Sequence, residues 1–126
     1  MNAIILLIAR ILLAVIFILA GFQKFGSIGG TASYIESVGW PLPTISAWIA
    51  AIFETVAGLA ILVGFQTRIA AWLLALFCLF TGVVFHFDPA DQMQMISLMK
   101  NLAIAGGFLA LSVAGPGAIS VDRFRR

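Results

Sequence analysis

The chain has 126 residues, 63% of them hydrophobic and 10% charged, with a mean hydropathy of +1.15. A soluble domain is about 45–50% apolar and about 25% charged, and a small one leaves much of its surface in water. So few charges cannot cover that surface, which excludes an ordinary soluble enzyme and a disordered chain. A net charge of +2 is too small for a phosphate-tracking surface and excludes nucleic acid as a partner.

Taken in chain order, the sequence predicts an all-α, four-transmembrane-helix bundle occupying the whole of 1–126 as one membrane domain. A span needs about 20 mostly apolar residues. The first runs over about 3–22 and carries Arg10. It does not read as a signal peptide, because its first residues are uncharged and no cleavage pattern follows. The loop 25–43 opens with glycines and closes with Pro41 and Pro43. Within it, 31–38 predicts a short amphipathic helix at the outer interface, with Tyr34, Ile35, Val38 and Trp40 on it or beside it. That helix reads as a surface lid or as a substrate gate.

The second span, about 44–64, carries Glu54. The third, about 69–87, holds the sole cysteine, Cys78, and ends at the sole histidine, His86. The fourth, about 95–114, carries Lys100 and Asn101, and a tail follows over 115–126. Arg68, Arg123, Arg125 and Arg126 flank one side, against Lys24, Asp88 and Asp91 on the other. The positive-inside rule then places both termini in the cytoplasm.

Ionisable residues inside a span cost about 2.5–3.5 kcal/mol at mid-bilayer and usually face the bundle interior. At helical spacing, Arg10 shares a face with Ala14, Phe17 and Gly21. Glu54 shares one with Ala51 and Gly58, His86 with Gly82, and Lys100 with Ala103 and Gly107. Small residues permit close helix approach, so these stripes predict charges turned inward. At 1.5 Å per residue, Arg10 lies roughly 10 Å and Glu54 roughly 15 Å from the inner ends of their spans. An intramembrane Arg10–Glu54 ion pair is therefore expected, serving either helix register or function. Lys24, His86 and Lys100 should form a basic cluster beneath the outer loops, with Glu54 at its floor.

The ligand-binding candidates are thus Lys24, Glu54, His86, Lys100 and Asn101; no catalytic residue is assigned. Lys24 reads equally as a snorkelling interface residue, and His86 as an interface residue beside Phe85 and Phe87. Cys78 reads as packing. Met93, Met95 and Met99 make no metal site, and none is expected. One cysteine is too few to ligate an iron–sulfur cluster.

The stretches ARILLAVIFILAGFQKF, FETVAGLAILVGFQTRIAA and MKNLAIAGGFLALSVAGPGAISVDRF resemble the DoxX family of small bacterial inner-membrane proteins. The last is the most specific, with Gly115-Pro116-Gly117 followed by Ser120 and Asp122. Glycine and proline stop the helix there, and Ser120 or Asp122 is placed to cap the tail or hold Arg123. The resemblance implies a four-helix membrane bundle, and Arg10, Lys24, Glu54, His86, Lys100 and Asn101 match polar positions of its pattern. Some members are similar to a subunit of an archaeal thiosulfate:quinone oxidoreductase; others accompany redox, detoxification or cofactor-maturation partners, or act as chaperones. Two expectations follow. One is an accessory subunit binding quinone or another small molecule beside a redox partner protein. The other is a non-catalytic scaffold or chaperone that binds a partner's helix or a lipid. No electron-carrying cofactor is encoded, and a quinone is the candidate. The expected partners are the bilayer, a redox protein and further copies of the chain.

Overall fold

A computed structural model describes residues 2–124. Arg125 and Arg126, two of the arginines used to orient the chain, lie outside the described residues. Six helices follow in order: α1 (Asn2–Gly26), α2 (Ile28–Ser37), α3 (Pro43–Val63), α4 (Thr67–His86), α5 (Gln92–Ala114) and α6 (Val121–Phe124). No strand occurs among the described residues. The long helices α1, α3, α4 and α5 are long and apolar enough to cross a membrane. Helices satisfy every interior backbone group within the segment, as a hydrocarbon solvent demands. Their outward faces are apolar, with Leu12, Val56, Ile69 and Val83 all at least 60% exposed.

The short helix expected at 31–38 is present but begins earlier, at Ile28. It buries Ala32 and Ile35 against Ala47 of α3, with Phe85 beside them. This α2 cluster closes one end of the bundle, called here the far end; the termini occupy the other.

The long helices associate as two pairs, α1 with α3 and α4 with α5, while α3 and α4 touch sparingly. Two glycines set the α1–α3 register. A Cβ at Gly21 would collide with the Thr55 hydroxyl and lie 3.0 Å from the Thr55 amide nitrogen, and one at Gly58 would come within 2.9 Å of Ile18. The pairs meet across a core of Phe17, Leu74, Phe108 and Leu111. Phe17 stands edge-on to Phe108 at 5.5 Å and to Phe77 at 6.4 Å.

The terminal end is tied by polar contacts to backbone. Arg10 is 1% exposed, and its Nη2 donates to the Ile119 carbonyl, with Nη1 3.5 Å from that of Leu62. Asp122 accepts from the Gln66 and Thr67 amides at 2.7 and 2.8 Å, capping α4 from the tail. Its own amide donates to the Gly64 carbonyl at 2.8 Å. Ser120 instead caps α6, accepting from the Arg123 amide at 3.2 Å. Arg68 donates to the Ser112 and Val113 carbonyls at 2.8 and 3.0 Å, meeting the carbonyl end of α5, where a cation is favoured.

The expected Arg10–Glu54 pair does not form. In the register fixed by Gly21 and Gly58, Arg10 comes level with the end of α3. Glu54 lies about ten residues, or about 15 Å, further along that helix, beyond the reach of an arginine side chain.

Candidate ligand-binding cleft

The far half of the bundle contains a cleft of about 1030 Å³ between the two helix pairs. α1 contributes Phe17 and Lys24, α2 contributes Tyr34 and Ile35, and α3 contributes Phe53 and Glu54. α4 supplies Phe77, Phe80, Thr81 and His86; α5 supplies Asn101; Trp40 closes the rim. Most of the wall is apolar, with a few polar groups converging on it, as in small-molecule sites.

Its charged feature is an ion pair between Lys24 Nζ and Glu54 Oε2 at 2.8 Å, with side chains 27% and 7% exposed. The register explains it. Gly21 lies beside Ala51 and Thr55, so Lys24, one turn on, reaches back to Glu54. Lys24 also stands in the last turn of α1, where the helix dipole favours a cation.

A second polar set lies near the rim. His86 Nδ1 and Gln94 Oε1 are 2.7 Å apart; the amide oxygen can only accept, so Nδ1 carries the proton. Gln94 Nε2 donates to the Tyr34 hydroxyl at 3.4 Å, and that hydroxyl donates to the Phe85 carbonyl at 2.9 Å. Gln94 is positioned by Asp91, the N-cap of α5, whose carboxylate accepts from the Met93 and Gln94 amides. Deeper, Asn101 Nδ2 donates to the Cys78 carbonyl at 3.1 Å and to Thr81 Oγ1 at 3.2 Å.

Of the candidates from sequence, Lys24, Glu54, His86 and Asn101 therefore line one cleft. Arg10 is engaged at the opposite end. Lys100 is exposed on the outer face of α5 and does not join the cluster, because α5 buries the stripe Leu98, Ala105, Phe108 and Leu111 instead. Tyr34 and Trp40 had been noted only for the surface helix, and Gln94 and Thr81 had not been singled out. The Asp91-x-x-Gln94 spacing signals the N-cap, yet a capping box would turn Gln94 back to the Asp91 amide, which here donates to the Asp88 carbonyl, so the sequence held no signal for Gln94 in the cleft. No group of three or more metal-ligating side chains occurs among the described residues.

Residues 5–87 match the profile of the DoxX family. This chain belongs to the DoxX family. It is 43% identical to the inner membrane protein YphA of Escherichia coli, over 97% of this chain and 91% of that protein. It is 44% identical to the E. coli inner membrane protein YqjF, over 93% and 88%. A shorter match, 34% identical over 56% of this chain and 51% of the relative, is to the putative oxidoreductase CatD of Bacillus subtilis. No solved structure matches significantly. With its four apolar helices, this DoxX chain is a multi-pass inner-membrane protein.

Proposed function

We propose that this DoxX protein is an accessory membrane subunit that binds a quinone, or a similar small molecule, for a redox partner protein. The observation that carries the reading is the Lys24–Glu54 pair, set in the wall of a largely apolar cleft. A quinone has a flat apolar ring, which suits the aromatic wall of Phe53, Phe77, Phe80 and Trp40. Its carbonyl oxygens accept hydrogen bonds, which the Lys24 ammonium can donate. With one cysteine and one histidine the chain cannot itself ligate an iron–sulfur cluster or a bis-histidine haem, so electrons exchanged with the quinone come from or go to the partner. The name of CatD, a putative oxidoreductase, supports the redox association. Both termini face the cytoplasm and the cleft lies in the outer half of the bundle, as the arginines around the terminal end favour.

The test is solvent extraction of protein purified from native membranes, with mass spectrometry of the extract, followed by rebinding of ubiquinone to delipidated protein. Stoichiometric quinone, with rebinding weakened at least tenfold in Lys24→Met, is expected. No quinone in the extract and no saturable rebinding would sink the proposal.

A scaffold role is favoured by one separate observation. Lys100 and Ala103 lie exposed on α5, and a Cβ at the neighbouring Gly106 would meet nothing within 4 Å. Such a face suits close approach by a partner's helix. Loss of a co-purifying protein in Gly106→Leu, with quinone binding unchanged, would support it.

A further inference from the structure

Beside the cleft, and sharing part of its wall, lies a second space of about 490 Å³ along the seam between α3 and α4. Ile49, Phe53 and Leu73 line both. Val56, Ala57 and Ile69 carry the seam on toward the terminal end, and Gln66 at its foot is the one polar residue along it. From Ile49 to Val56 it follows α3 for about 10 Å. Close contacts narrow the neighbouring seams. α1 is closed onto α3 by Gly21 and Gly58, α4 onto α5 by Gly82 beside Leu98 and Asn101. The inward path between the pairs is filled by Phe17, Phe77 and Phe108. The far end is covered by α2.

From this shared wall we infer that the cleft takes a long-tailed amphiphile, with its polar ring beside Lys24 and Glu54 and its single apolar chain lying in the α3–α4 seam. The ligand enters sideways from the bilayer. This rests on the small-molecule reading above and narrows it to one class, polyprenyl-tailed quinones, over water-soluble substrates. Phe53, shared by both spaces, is the neck between ring and tail. Val56 is 61% and Ile69 60% exposed, so bulk added there fills the seam without entering the core.

The experiment uses the full chain, delipidated and returned to nanodiscs free of quinone. A polyprenyl quinone bearing a diazirine at the end of its tail is photolysed and the labelled peptides are mapped, with and without an excess of short-tailed quinone. Competable labelling on residues 52–57 and 69–73 is expected. In Val56→Trp, long-tailed quinone should bind at least tenfold more weakly while short-tailed quinone binds as before. Competable labelling on the outer faces of α1 or α5, or equal weakening of both quinones by Val56→Trp, overturns the tail path and leaves the small-molecule reading standing. No competable labelling anywhere, with no binding of either quinone, overturns both.

Discussion

Removing either partner of the Lys24–Glu54 pair should have unequal effects. Lys24→Met leaves a carboxylate that is 7% exposed facing an apolar cleft without its counter-ion. Breaking a buried pair in this way costs about 3–5 kcal/mol. The 27% exposure of Lys24 lets water reach part of the site and puts the expected loss at the lower end, about 3 kcal/mol. Glu54→Gln leaves a lysine near the end of α1, whose flexible stem can carry the ammonium outward; its loss should be about 1 kcal/mol. In the double variant no uncompensated charge remains, so its loss should fall well below the sum. The coupling is then about 2 kcal/mol. Cys78 supplies the assay. It is the sole cysteine and 2% exposed, so labelling by a thiol-reactive fluorophore during heating in detergent reports unfolding. A Glu54→Gln loss larger than that of Lys24→Met, or strictly additive losses, would refute this account of the pair.

Three further outcomes follow from the same structure. Gly21→Ala pushes a methyl into the Thr55 hydroxyl, 3.0 Å from the Thr55 nitrogen and 3.1 Å from the Ala51 oxygen. It should destabilise by about 1–3 kcal/mol, and added Thr55→Ala should recover only part, because two of those atoms are backbone; the Cys78 labelling midpoint measures both. Asp122→Ala removes the acceptor for the Gln66 and Thr67 amides and should lower stability by about 1–2 kcal/mol, with faster amide exchange confined to the start of α4. Lys100→Leu, on an exposed site, should leave both stability and quinone binding within about 0.5 kcal/mol of the parent; a loss of quinone binding would return Lys100 to the site.

The four long helices were legible because each is a run of about 20 apolar residues, a property of composition along the chain. Which residues meet across helices was not legible, because register depends on a few close contacts. Gly21 and Gly58 carry that information, yet a glycine in an apolar helix also fits self-packing, lipid exposure or a kink. Aligning the ends of the predicted spans puts Arg10 and Glu54 at similar depth, whereas Arg10 lies beside Gly64 at the end of α3, so α1 runs about two turns past it. That shift exchanged the partner of Glu54 from Arg10 to Lys24. Lys100 failed for a related reason. Its stripe of Ala103 and Gly107 is small, and small residues pack inward and face lipid equally well. The larger side chains Leu98, Phe108 and Leu111 decided the buried face.

The two ends of the bundle divide its polar residues by what they bond. At the terminal end Arg10, Arg68 and Asp122 are spent on backbone: loop carbonyls, the open carbonyls of α5 and the first amides of α4. Groups used in this way hold helices together and leave little for a ligand. At the far end several polar side chains around the open volume pair with one another, as Lys24 does with Glu54 and His86 with Gln94, although Tyr34 and Asn101 also bond backbone carbonyls there. A side chain paired with another side chain can exchange that partner for a ligand without unmaking a helix end. On the proposed reading, Arg10 and Glu54 therefore have different jobs despite their similar rarity in an apolar chain. Substitutions of Arg10 should act on folding, whereas substitutions of Glu54 should act on binding before they act on folding.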